Sequence, residues 1–172
     1  MNLLHLLTIF GLVIIMFIFG DWRNWRKYYP TILFLIAGNL FYNHMVQDMR
    51  LWEWTTPFFT HQFSSALWSF TVYPTMVLIY MPYYPKEKSY IKQILFILCY
   101  VVGFSMIEYI LYYFKHITYQ NGWKYLHSIA VYFLMFSIMI VHHRRPIIAW
   151  LIYFIIAFLA LRIFDMPYRV LL

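Results

Sequence analysis

Charge is what this chain has least of. Asp, Glu, Lys and Arg make up 11% of its 172 residues, against roughly 25% in soluble domains, which excludes an ordinary water-facing surface. Cysteine occurs once, as Cys99 within an apolar run. Neither a disulfide framework nor a thiolate metal set is available, and a small packing residue is the reading left. The five glycines form no phosphate-cradling loop, no GxSxG elbow and no membrane GxxxG pair, and there is no paired-carboxylate motif. A strong catalytic signature is missing.

Apolar residues take the space instead. They make up 64% of the chain, with a mean hydropathy of +0.66. Stretches near the roughly 18-residue threshold for a membrane span recur with polar punctuation between them, too many to bury in one soluble core. The pattern predicts an all-α, polytopic transmembrane helix bundle, a single integral membrane domain over 1–172. Its six spans fall near 3–20, 31–47, 63–82, 91–114, 125–141 and 147–164. The second is the least apolar, because Asn39, Asn43, His44 and Gln47 interrupt it, so it depends on its neighbours to insert. Pro30 and Pro146 fit helix starts, and Pro82 and Pro85 close the third span. Pro74 lies inside that span and predicts a kink, its freed carbonyl met by a neighbouring helix or by Ser69 or Thr71.

Residues 1–20 have no Lys or Arg before their apolar run and no small-x-small site after it, while the positive charges follow in DWRNWRKYYP. That is the pattern of a retained first helix with its N-terminus outside. With alternating spans, one side receives Arg23, Arg26, Lys27, Lys86, Lys88, Lys92, Arg144 and Arg145. The other receives Arg50, Lys115, Lys124, Arg162 and Arg169. The positive-inside rule then places the loops near 21–30, 83–90 and 142–146 in the cytoplasm and both termini outside. Trp22, Trp25, Trp52, Trp54, Trp123 and Trp150 fall at proposed span ends, as headgroup anchors do. The net charge of +7 therefore follows topology, and the expected partners are the lipid bilayer and other membrane-protein subunits, with no nucleic acid.

Glu108 is the residue that such a chain needs a reason to keep. It lies about six residues, roughly 9 Å, from the outer end of its helix. A carboxylate at that depth is costly unless it faces the bundle interior, where it finds partners or keeps its proton. Tyr112 and Lys115 share its helix face, although Lys115, two turns on, snorkels outward. The next span returns through Tyr125, His127, Ser128 and Tyr132, so a tight hairpin brings His127 or Ser128 close to the depth of Glu108. On the second span Asn39, Asn43 and Gln47 fall at i, i+4 and i+8, one stripe of amides, with Ser65 and Ser69 of the third span near the same level. Two readings stand open: hydrogen-bond glue between helices, or the lining of a polar cavity that reaches Glu108 from outside.

His5, His44, His61, His116 and His127 map to the same outer half, with Asp48 and Glu53. Histidine with carboxylate suits a divalent metal or a proton relay. No pair has a ligand spacing such as HExxH, so no metal or other cofactor is expected, and the rings meet water or headgroups. On the cytoplasmic side VHHRRPIIAW places Arg144 and Arg145 at a span junction, to anchor the helix or to contact anionic lipid.

The segments DWRNWRKYYPTILFLIAGNLFYNH, VYPTMVLIY with the following YYP, IEYI, YQNGW and HHRRPIIAW together resemble an uncharacterised family of small multi-pass membrane proteins from endospore-forming Firmicutes. The likeness covers most of residues 21–155. It implies a bacterial cell membrane and a helical fold, and it carries over no catalytic residue.

Three functions follow as expectations. The first is a non-enzymatic transport or accessory subunit of a membrane complex, with Glu108 and the amide stripe as its polar interior. The second is a membrane enzyme on a lipid or isoprenoid, with Glu108 as general acid and His127 as its partner. The third is a structural bundle whose polar stripes only hold helices together.

Overall fold

The computed structural model describes residues 2–46, 49–55 and 59–165. Among them run six α-helices: α1 (Asn2–Phe19), α2 (Trp25–Met45), α3 (His61–Tyr80), α4 (Tyr90–Tyr113), α5 (Tyr125–Arg144) and α6 (Pro146–Ile163). Two short strands, β1 (Trp52–Trp54) and β2 (Ile117–Tyr119), pair antiparallel. The fold is all-helical apart from this ribbon.

Three helices, α4, α5 and α6, are each long and apolar enough to cross a membrane. Counting α1 and α2 as one broken span, bent by 89° at residues 20–21, gives a fourth. Much of their outward surface is apolar. Ile91, Val102 and Met106 of α4 and Leu151, Ile155 and Ile163 of α6 are all exposed, a surface that water would drive to aggregate and hydrocarbon accepts.

Proline placement fixes several boundaries. Pro146 opens α6 at its first residue, where no N–H is needed, and α3 stops at Tyr80 in a short 3₁₀ turn containing Pro82. Pro30 differs from expectation. Helix α2 begins at Trp25, so Pro30 stands inside it and withholds the N–H that would have reached the Arg26 carbonyl. Helix α3 runs continuously through Pro74. The nearby hydroxyls do not rescue the carbonyl freed by it: Ser69 bonds the Ser65 carbonyl and Thr71 the Leu67 carbonyl.

Helices α2 and α1 pack on α3, α4 packs on α5, and α5 on α6, while α2 also touches α5. An aromatic cluster of the core surrounds Tyr80, whose ring meets Phe96, Tyr100 and Phe136 at centroid distances of 5.3, 5.0 and 4.9 Å. One end of the bundle gathers the basic junctions. There the Asp21 N–H donates to the Leu78 carbonyl, the Tyr83 hydroxyl donates to the Phe19 carbonyl, and Tyr28 stacks on His143. The opposite end carries the ribbon.

Candidate functional site

The ribbon is amphipathic by register. Cross-strand partners are Trp52 with Tyr119, Glu53 with Thr118, and Trp54 with Ile117. Side chains alternate faces along a strand, so Glu53 and Thr118 fall on one face and the two tryptophans, Ile117 and Tyr119 on the other. The polar face is tied down by Arg50, whose Nη1 donates to Glu53 Oε1 at 2.6 Å, and by Gln120, whose Nε2 donates to Glu53 Oε2 at 2.9 Å. The apolar face is turned to the helices.

Under it lies a cavity of about 270 Å³ between α2, α3, α4, α5 and α6. Trp52, Trp54 and Ile117 line it from the ribbon, Trp68 and Tyr73 from α3, and Tyr153 and Ala157 from α6. Glu108, on α4, is buried and opens into it. Among the described residues of the lining it is the one carboxylic acid, and no Lys, Arg or His joins it.

Tyrosines surround that carboxyl. The Tyr119 hydroxyl donates to Glu108 Oε1 at 2.7 Å, and Tyr132 of α5, Tyr73 and Tyr125 lie near enough to interact with the carboxyl electrostatically. Burial, then the charge of Glu108 and the hydrogen bond to it, hold the Tyr119 phenol well above its ordinary range. Tyr119 therefore remains a donor at physiological pH. Among the described residues no cation lies within ion-pair distance of Glu108; the ion pair there is Arg50 with Glu53.

The residues singled out from sequence divide. Glu108 and Asn39 both line the cavity. Tyr112 stacks on Tyr119, centroids 4.7 Å apart and planes 11° from parallel, so it holds the ring that bonds Glu108. His127 is not at the carboxyl. Its Nδ1 accepts from the Lys124 backbone N–H at 2.9 Å, capping α5, and its ring packs on Trp123 and Phe164. Ser128, one residue on, does line the cavity and accepts from Trp123 Nε1 at 3.0 Å. A one-residue step on a helix turns the side chain by about 100°, which separates the two fates. Arg144 and Arg145 are exposed at the α5–α6 junction.

Asn43 does not line the cavity; it belongs to a relay that ties α2 to α3 and the ribbon. The Trp54 N–H donates to His61 Nδ1 at 3.1 Å, which leaves the proton on Nε2 to be donated to Asn43 Oδ1 at 3.0 Å. Asn43 Nδ2 donates to the Asn39 carbonyl at 2.8 Å, and Asn39 Nδ2 donates to Ser69 Oγ at 2.8 Å and Ser65 Oγ at 3.3 Å. This is how the least apolar helix is held: its amides are spent on α3. The third amide of the stripe, Gln47, lies outside the described residues, as does Asp48. Replacing Asn43 by Leu strands the His61 N–H, and the expected loss is about 1–3 kcal/mol, the usual cost of a buried unpaired polar group. Thermal unfolding in detergent should show it, against no comparable fall for Tyr90→Leu at the exposed start of α4.

The histidines expected to meet water or headgroups do not all do so, since His5, His61 and His116 are buried. Burial lowers the His116 imidazole below its ordinary range. Among the described residues no three His, Cys, Asp or Glu side chains come together.

Sequence reasoning missed Tyr119, Tyr73 and Tyr153 as parts of the site. Tyr119 lies on β2, whose pairing with β1 spans 67 residues at Trp52 and Tyr119 (119 − 52), a contact that no local pattern signals. The period-2 alternation of WEW was the one available hint. What the geometry defines is an all-helical protein with helices apolar enough for a membrane, enclosing an aromatic cavity around one carboxyl. Comparison with family models, with curated proteins and with solved structures finds no match to this chain.

Proposed function

We propose that this chain is a multi-pass protein of a bacterial cell membrane whose interior cavity holds a small, mostly apolar molecule, acting as a transport or accessory subunit. The observation that carries the reading is the cavity of about 270 Å³ with Glu108 in its wall. Protein interiors rarely leave voids larger than a water molecule, and an apolar void of about 150 Å³ already accepts benzene. A bundle built only as scaffold would be expected to collapse such a space, because unfilled volume destabilises it. The enzyme reading has less support, since His127, the partner it requires, is engaged in capping α5.

The bacterial membrane rests on the family resemblance, and the orientation on the basic junctions. In this reading Arg23, Arg26, Lys27, Lys86, Lys88, Arg144 and Arg145 lie in the cytoplasm, the ribbon lies outside, and both termini are outside. With Cys99 replaced by Ala, a single cysteine at Asn121 should label from outside intact cells with an impermeant maleimide, and one at Lys88 only after permeabilisation. The opposite pattern refutes the orientation.

The function is tested by ligand-dependent stability. An organic extract of the host membrane added to the delipidated protein should raise its unfolding temperature, because a ligand of the native state stabilises it by mass action. Ala157→Trp places an indole in the cavity from α6, and this variant should show no rise. An equal rise in both proteins would remove the cavity from the account.

A further inference from the structure

We infer that the occupant of this cavity is a compact, largely apolar organic cation, an amine or quaternary ammonium ion, whose charge meets the Glu108 carboxyl. The inference rests on the cavity-binding reading above and deepens it by naming the chemical class of the ligand.

Three features point the same way. The first is an uncompensated acid. A buried acid takes a hydrogen-bond or charge partner, and the described lining supplies no cation to Glu108. Its neighbours are phenols, which donate hydrogen bonds but carry no positive charge. A carboxylate offers about four acceptor sites, so the Tyr119 bond leaves room for a further donor. The second feature is the wall. Tyr73 and Tyr132 lie beside the carboxyl, and Trp54, Trp68 and Trp123 line the same space. Aromatic faces attract a desolvated cation, by about 2 kcal/mol or more in favourable cases. The third is the remainder of the lining, including Leu35, Ile107, Leu111, Val131 and Ile156, which suits a hydrocarbon body and offers nothing to a second charge.

The same features select against other ligands. An anion would meet the field of Glu108 with no basic group to offset it. A neutral alcohol can occupy the space and bond Glu108, but gains nothing from the charge.

The test compares 1-adamantylamine, 1-adamantanol and 1-adamantanecarboxylate, three molecules with one compact hydrocarbon body and different charge. Binding to the full chain in nanodiscs is read from the fluorescence of the cavity tryptophans, with Ala157→Trp as the blocked reference. The expected result is that the amine binds at least about tenfold more tightly than the alcohol or the carboxylate. Glu108→Gln should remove that advantage, and Glu108→Asp should keep part of it. Alcohol binding should change less than about threefold in Glu108→Gln, showing that the cavity is intact. If amine and alcohol bind equally to the wild type, or Glu108→Gln leaves the preference unchanged, the cation assignment is wrong while the cavity reading stands. If none of the three binds the wild type more than Ala157→Trp, both are wrong.

Discussion

Replacing Tyr80 by Ala is expected to be among the most destabilising single changes in this chain. The side chain is fully buried, its ring meets those of Phe96, Tyr100 and Phe136, and its hydroxyl donates to the Phe136 carbonyl at 3.1 Å. Removing a buried aromatic ring costs about 3–5 kcal/mol when the surroundings cannot close over the gap. Closure is hindered here because the ring sits where α3, α4 and α5 meet. Tyr80→Phe keeps the ring and loses one hydrogen bond, so its cost should be about 1 kcal/mol. Unfolding temperatures in one detergent should therefore fall steeply for Tyr80→Ala and little for Tyr80→Phe. Equal falls would mean that the hydroxyl, not the ring, holds this junction.

The second large effect is expected at Glu108, and its size should depend on what replaces it. Glu108→Leu removes the acceptor of the Tyr119 hydroxyl. A buried hydroxyl left without its partner costs about 1–3 kcal/mol, and a loss in that range is expected. Part of this returns through the lower cost of burying Leu. Glu108→Gln keeps a carbonyl acceptor at the same position and should be the milder change. The ribbon supplies a second readout. Tyr119 belongs to β2 and is held by Tyr112 and Glu108, so Glu108→Leu should speed amide exchange at Trp52 and Tyr119 more than in the core of α5. Uniform exchange along the chain would indicate that the carboxyl does not position the ribbon.

The two effects differ in how far sequence reveals them. The six helices were readable because they are runs bounded by charge, aromatic rings or proline, and their ends agree with the pattern to within a few residues except at α2; of the six spans expected, α4, α5 and α6 are singly long and apolar enough to cross a membrane, with α1 and α2 together as a bent fourth. There Trp25 to Tyr29 carry too many polar and aromatic residues to resemble a helix start, while contacts with α5, such as Tyr28 on His143, favour one. Glu108 stood out because an acid in an apolar run needs an interior reason, and it does face inward. Asn39 and Asn43 were readable as a stripe, and both readings of that stripe have a place in the fold. Asn39 reaches the cavity wall while the amides bond α3 and each other.

What sequence did not reveal is non-local. The ribbon joins the α2–α3 and α4–α5 connections through three residues on each side, too short for a periodicity to register. Tyr119 has no mark that separates it from the sixteen other tyrosines; pairing of β2 with β1 and stacking on Tyr112 set its hydroxyl at Glu108. His127 and Ser128 were equivalent by depth, and only the rotation of α5 decides which of them enters the cavity. A sequence gives depth through hydropathy, but rotation depends on packing against neighbours that the sequence does not name.

The central claim is that the space around Glu108 is an occupied binding site. Its most direct test is native mass spectrometry of the wild type and Ala157→Trp, each extracted gently from the same membrane. One small-molecule adduct, near one per chain, is expected on the wild type and none on Ala157→Trp. A wild type that carries no small adduct, or the same adduct on both proteins, would contradict it.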